Sequence, residues 1–305
     1  MTGVRVSSDA LEAFAVFAEH LNLTRAAKAL HISQPSLHSK LATLARQLGR
    51  PLYERAGNRL RLTPDGELVA RFARDHDDRL ARFLDELRAT PHSRPIVLAA
   101  GHAAYLHILG DTIRHLLAER PGGLRLLHTH RHQMQAAVRT GRAHLGVSAL
   151  DVLPDDLITV PVATYPQVLL IPEQHRLARK RAIRLADLAG ADLVVPPPNR
   201  PHRINLERAL AAADVDWSVA VEAEGWPLTV HFAALGIGLA VVHGCVQATS
   251  GLVARRITDL PPITFYAVHR PGALDDPRIA DLLHRIRAGI STPGRAGRRT
   301  SARTR

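Results

Sequence analysis

Two sets of side chains in this sequence carry binding chemistry. From Arg25 to Arg61 there are eight Lys or Arg (Arg25, Lys28, Lys40, Arg46, Arg50, Arg55, Arg59, Arg61) and one acid, Glu54. A local excess of that size is the electrostatic footprint of a surface that meets phosphates. The second set is histidine: on a strand His128, His130 and His132 would alternate onto one side, a spacing that zinc accepts, yet no cysteine and few carboxylates stand near them. An anionic or hydrogen-bonding organic molecule suits them better than a metal, and solvent-facing histidines without a ligand are the plain alternative. Catalysis is not indicated. The chain has no Gly-x-Ser-x-Gly, no His-Glu-x-x-His and no phosphate loop, and Gly236 and Gly238 read as a tight helix-to-strand turn. His243 beside Cys245 suggests thiol chemistry, but a buried structural cysteine is the simpler reading. No enzyme activity, cofactor or metal is expected.

Size and composition narrow the class. At 305 residues and 46% hydrophobic content the chain can fill two or three cores. Cys245 is the single cysteine, no charged-then-apolar leader opens the chain, and no run of 18 apolar residues occurs. These features predict a protein of the reducing cytoplasm with no membrane partner. The net charge of +12 rests on arginine, since Lys28, Lys40 and Lys180 are the only lysines. Arg295, Arg298, Arg299, Arg303 and Arg305 crowd a stretch without periodicity, so 291–305 is expected to be a disordered basic tail.

The basic stretch needs elements to position it. Leu11, Phe14 and Phe17 predict a first helix over about 9–20, which braces the two helices after it. Ala26, Ala27 and Leu30 mark a second short helix, and Leu37, Leu41, Leu44 and Leu48 a third. His31-Ile32-Ser33 is the turn between them; Ser33 suits an N-cap and Pro35 the first helical turn, so the third helix starts at Gln34 and stops at Gly49. Leu52-Tyr53 and Leu60 to Thr63 then flank Gly57-Asn58, a tight-hairpin signal. A helix-turn-helix with such a hairpin is a winged helix. Thr63-Pro64 caps a long helix on which Val69, Phe72, His76, Leu80, Phe83 and Leu87 form a narrow stripe. That stripe suits a two-stranded dimer seam, with packing on the winged domain as the alternative. Thr90 to Pro95 breaks the helix. The expected division is a winged domain (1–64), a linker helix (65–90), a hinge (91–95), an α/β domain (96–290) and the tail.

Beyond the hinge, strands and helices alternate. Strands are expected at Ile96–Ala100, Leu124–Thr129, Leu145–Ser148, Val168–Ile171, Leu193–Val195, Val219–Val221, Ile237–Val242 and Ile263–Val268. Helices are expected at Tyr105–Glu119, Met134–Thr140, Leu185–Leu188, Asn205–Ala212, Leu228–Leu235 and Pro277–Ile290. This parallel βαβ rhythm predicts two α/β lobes with a ligand cleft at the carboxyl ends of their strands.

The residues resemble the LysR-type transcriptional regulators. The amino-terminal pattern is matched in order by Leu11, Phe14, Ala26-Ala27, Leu30, Ser33-Gln34-Pro35, Leu41, Leu44, Leu48-Gly49, Leu52-Tyr53, Arg55, Leu62-Thr63 and Gly66. Pro172 to Leu177, Leu185 to Leu188 and Leu235 to Ala240 resemble the family's effector domain. The resemblance implies an α-helical winged helix-turn-helix plus linker helix, followed by a two-lobed α/β effector domain with the fold of periplasmic binding proteins. It implies base contacts from Gln34, Pro35, Ser36, His38 and Ser39, with Ser33 as cap. Arg55, Arg59 and Arg61 of the wing would meet phosphate or the minor groove, Arg55 alternatively bracing the domain. The fold analogy lines the cleft with Gly101, His102, Ala103, Thr129, His130, Arg131, Pro198, Asn199, Arg200, His202 and Trp226, where Arg203 can join the other arginines. Trp226 reads equally as stacking wall or core. Three positions depart from the family pattern: His38 for serine, Ala45 for glutamate, and His144 for aspartate.

By resemblance the chain is a sequence-specific DNA-binding transcriptional regulator, modulated by a small, anionic organic effector held between the lobes. Implied partners are double-stranded DNA bearing an interrupted inverted repeat, further copies of the chain in a homodimer or homotetramer, and RNA polymerase. The alternative is a ligand-independent, nucleoid-type architectural DNA-binding protein, which would show the same salt dependence without a large specific-to-random ratio.

Overall fold

The computed structural model describes residues 6–57, 59–87 and 94–290. Asn58 of the hairpin, residues 91–93 of the expected hinge and the tail at 291–305 lie outside the described residues.

Three helices make the amino-terminal core: α1 (Ser8–His20), α2 (Leu23–Ala29) and α3 (Gln34–Leu48). Two side-chain caps satisfy amides that the first turn leaves unpaired: Asn22 accepts from the Arg25 amide, and Ser33 Oγ from the Ser36 amide at 3.2 Å. Gly49, at φ +66°, ends α3 in the left-handed conformation that other residues resist. Phe14, Phe17, Ala26, Leu37, Leu41 and Leu44 are fully buried together. The wing pairs β1 (Tyr53–Ala56) with β2 (Arg59–Leu62), Ala56 opposite Arg59, as the Gly57-Asn58 signal predicts.

A long helix, α4 (Pro64–Leu87), comes next. Thr63 Oγ1 accepts from the Gly66 amide (3.0 Å) and donates to the Pro51 carbonyl (2.7 Å), so the helix start is tied to the strand entering the wing. A Cβ at Gly66 would lie 1.8 Å from the Leu52 carbonyl oxygen. The expected dimer stripe needs one correction. Val69 packs against the winged core beside buried Ala70 and Ala73, because that face of the first turns lies over α1. Phe72, Leu80, Phe83 and Leu87 are 57%, 41%, 56% and 72% exposed, with Leu68 at 54% extending the row in place of Val69. His76 is half-buried beside Phe72.

The α/β domain forms two lobes. In the first, β3 (Ile96–Ala100), β4 (Leu124–His128), β5 (Leu145–Ala149), β6 (Ile158–Tyr165) and β12 (Ile263–His269) make one sheet in the order β4-β3-β5-β12-β6. Helices α5 (His102–His107), α6 (Gly110–Glu119), α7 (Arg131–Arg139) and α10 (Pro277–Ile290) pack around it. In the second lobe, β7 (Gln167–Pro172) lies antiparallel between β10 (Ala240–His243) and β11 (Leu252–Arg256), while β8 (Ala191–Val195) and β9 (Trp217–Glu222) are parallel. A bridge from Leu193 to Leu239 joins the two pairings, and α8 (Pro201–Ala212) and α9 (Trp226–Ala234) complete the lobe. The chain crosses between lobes twice, and the Gln167 side chain ties the crossings by donating to the Pro261 carbonyl at 3.0 Å.

Several expectations change. The sheets are mixed: β12 runs antiparallel to β5 and β6, because the chain returns from the second lobe to insert between them. The single helix expected over Tyr105–Glu119 breaks at Ile108-Leu109, where Leu109 turns wholly into the core. Helices at Met134 and Asn205 start earlier, at Arg131 and Pro201, and the strand expected from Ile237 begins at Ala240 after a turn through Gly236. β6 and β11 were not foreseen, for their half-buried residues lack a long apolar run.

Replacing Gly66 with Ala should destabilise the winged domain by about 1–3 kcal/mol, since backbone must move to admit the methyl group. Urea titration of the full chain with pulse proteolysis, scored on the amino-terminal fragment, reads the shift; an unchanged midpoint would show that the approach of Leu52 to Gly66 is not tight.

Candidate functional site

The start of α3 is presented to solvent by the burial of its other face. Leu37, Leu41 and Leu44 point inward, which leaves Gln34, Pro35, His38 and Ser39 exposed and Ser36 half-buried in the first turns. Thr24 Oγ1 donates to Gln34 Oε1 (3.2 Å), so α2 orients this amide while its nitrogen and second lone pair stay open. Lys40 is paired with Asp9 of α1 and Arg46 donates to Thr43, so neither extends freely. On the wing Arg55, Arg59 and Arg61 are all exposed; exposure removes the bracing role considered for Arg55, and Arg61 is already paired with Glu54 at 2.6 Å.

The second site is a cleft of about 190 Å³ between the lobes. Of the residues expected there, Gly101, His102, Ala103, Thr129, His130, Arg131, Arg200, His202 and Trp226 line it. Pro198 and Asn199 do not, because the turn before α8 directs them away and Pro196 takes the wall instead. Arg203 is also elsewhere: it is buried, paired with Glu207 at 2.6 Å and stacked over Trp217. The notion of three histidines on one strand fails, since β4 ends at His128, His130 stands at the N-cap position of α7 and His132 lies exposed outside the cleft. The convergence comes from tertiary structure instead. His102 and His128 stack with ring centroids 3.9 Å apart, and His128 meets His130 at 6.0 Å. Among the described residues no three His, Cys, Asp or Glu side chains are placed to hold a metal ion.

Both arginines at this cleft are already paired. Arg131 contacts Asp151, and Arg200 contacts Glu224 while its Nη2 lies 3.2 Å from His130 Nε2. The floor is aromatic: Trp226 sits 4.9 Å from both His202 and His243, and Phe265 is 5.6 Å from His243. Trp226 is thus both cleft wall and core edge. His202 Nε2 donates to the Val241 carbonyl at 2.8 Å, and burial pushes both floor imidazoles below the usual range, His243 far below, so both are neutral. Sequence reasoning missed Glu224 and His243 as cleft residues; the only signals were the place of His243 at the end of β10 and that of Glu224 in the turn between β9 and α9.

Comparison with known proteins agrees with this division. The family model described as "Bacterial regulatory helix-turn-helix protein, lysR family" matches residues 8–67, and "LysR substrate binding domain" matches 89–291. The regulatory protein NocR of Agrobacterium fabrum is 27% identical over 241 residues, 78% of this chain and 80% of its own. A hydrogen peroxide-inducible genes activator of Escherichia coli is 27% identical over 255 residues, 83% of this chain and 79% of its own. Among solved structures, a full-length OxyR variant from Pseudomonas aeruginosa superposes with a TM-score of 0.72 at 23% identity, covering 93% of this chain and 98% of that one.

Cys245 tests whether peroxide chemistry could carry over. It is buried in the core shared by the two lobes, and burial pushes its thiol up to about 12, so the nucleophilic thiolate is scarce at neutral pH. Iodoacetamide at about pH 8 should therefore leave Cys245 unlabelled in the native protein and modify it on addition of urea. Rapid native labelling, read by intact mass, would mean the thiol is accessible and acidic.

Proposed function

The chain belongs to the LysR-type transcriptional regulators, DNA-binding proteins with an effector-binding domain, and from that membership we propose how its own residues act. α3 enters the major groove by its amino-terminal turns, where Gln34 pairs with adenine, His38 donates to a purine acceptor, Ser36 and Ser39 meet base edges and Pro35 packs on a thymine methyl. Arg55 and Arg59 hold phosphate or the minor groove on either side, and Arg61 joins them when it leaves Glu54. The observation that carries this reading is the burial of Leu37, Leu41 and Leu44, which leaves the polar face of α3 uncovered beside the exposed wing arginines. The row of Leu68, Phe72, Leu80, Phe83 and Leu87 joins two copies through α4, and further pairing makes a tetramer on an interrupted inverted repeat. The domains accordingly run 1–64, 65–90, 91–95 and 96–290, with a basic tail.

The cleft between the lobes binds a small organic effector, whose differential affinity for two arrangements of the lobes alters the DNA-bound assembly. Thr129, His130, Arg131, Arg200, His202 and Trp226 face it. The chain acts in the cytoplasm, on DNA and through RNA polymerase, as a regulator and not a catalyst; the protonated thiol of Cys245 supports that reading against a peroxide-reactive one. No helix among the described residues is long and apolar enough to cross a membrane.

Two measurements test the DNA and assembly readings. With a duplex selected from a random library, Gln34→Ala should lose about 1–3 kcal/mol of discrimination at one base pair, while Arg59→Ala weakens specific and random duplexes alike and lowers the salt slope by about 1. Equal losses on both duplexes for Gln34→Ala would remove it from base reading. In sedimentation experiments, Phe72→Asp with Phe83→Asp should break the dimer through α4; an unchanged assembly would place the main contact elsewhere.

A further inference from the structure

A cleft whose two arginines are already neutralised must find positive charge for an anion elsewhere. Arg131 is held by Asp151, which also accepts from Asn205 Nδ2, and Arg200 is held by Glu224. An anion that takes either arginine must first displace its carboxylate, whereas an imidazole that takes up a proton brings new charge to the cleft. Imidazoles stand beside them: His102 at the start of α5 stacks on His128 at the end of β4, and His128 meets His130 at the start of α7, whose Nε2 already faces Arg200 and Glu224. In the aromatic floor below them His243 Nδ1 is buried and has no hydrogen-bond partner among the described residues. A cavity of about 150 Å³ holds benzene. This cleft of about 190 Å³ therefore takes one ring with one small substituent.

Resting on the effector reading above, we propose that this cleft binds a single-ring organic anion together with a proton, the anionic group lying among His102, His128 and His130, with His128 or His130 becoming the cation that pairs with it. The ring lies against Trp226, His202 and Phe265. Burial and then the neighbouring cations, His102 and His130 for His128 and Arg200 and His102 for His130, hold these two below the usual range. An anion reverses that balance: it raises the imidazole's proton affinity, so a proton is taken up at pH values between the free and bound titrations. Among the described residues Glu224, 3.5 Å from His130, is the carboxylate lining this cleft, and its pairing with Arg200 limits its pull. Thr129 and Ser148 at the same wall do not titrate in this range.

The test is calorimetric titration of the full-length protein with benzoate and with its neutral isostere benzamide, from about pH 5.5 to about pH 8, in two buffers of different ionisation heat. The expected result is uptake of about one proton per benzoate near neutral pH, with affinity falling by up to about tenfold per pH unit as pH rises, and weaker, pH-independent binding of benzamide. His128→Asn should remove most of that uptake, and His102→Asn serves as a second variant; retained DNA binding confirms that each is folded. Benzoate binding with no proton uptake and no pH dependence overturns this inference and leaves the effector reading standing. No binding of either probe at any pH overturns the single-ring assignment and leaves the broader effector reading standing.

Discussion

The rest of the molecule depends on how α4 is held at both ends of its task. At its start, the Gly66 backbone lies against the Leu52 carbonyl and Thr63 bonds on both sides of the junction, so the helix axis is fixed to the winged domain. Further along, acids of the same helix meet cations of the first lobe. Asp75 pairs with Arg270 at 2.7 Å, Asp78 accepts from His144 Nε2 at 3.0 Å, and Arg74 donates to the Thr140 carbonyl at 2.6 Å. His144 Nδ1 accepts from the Val97 amide, which fixes the tautomer that donates to Asp78. The position where the family pattern has aspartate thus becomes a donor to the linker helix. Hydrogen bonds from His144 and Arg94 hold the Asp78 carboxyl below the usual carboxylate range against the opposing effect of its burial.

These contacts join the linker helix to the lobe that carries the cleft. β3 carries Val97 to His144 at one of its ends and leads directly into Gly101 and His102 at the other. Because the pairs that clasp α4 are only partly buried, their individual contributions are modest.

The cleft combines compensated charge with an aromatic floor. Arg131 and Arg200 are each paired with a carboxylate, Asp151 and Glu224, at the wall of the cleft. Buried Cys245, with its raised pKa, belongs to the packing between the lobes, where it behaves as a small hydrophobe.

Local signals alone determine the DNA-binding half. Ser33, Pro35 and Gly49 bound α3 to the residue because caps, a first-turn proline and a left-handed stop act over single turns of chain, and the leucine period states which face is buried. Strand β3 and helix α10 are likewise legible, being short units with strong apolar runs or clear ends. The lobes' mixed topology is not, since β12 reaches its place between β5 and β6 only after a long excursion of the chain through the other lobe. The cleft divides the same way. That histidines and arginines are present is a matter of sequence; that Arg131 and Arg200 are already paired, that Arg203 faces Trp217, that Pro198 and Asn199 turn away and that His243 joins the floor are decided by contacts between segments far apart in the chain. Charge pairing and ring stacking operate through space over a few ångströms, and no local periodicity records which distant residue will supply the partner.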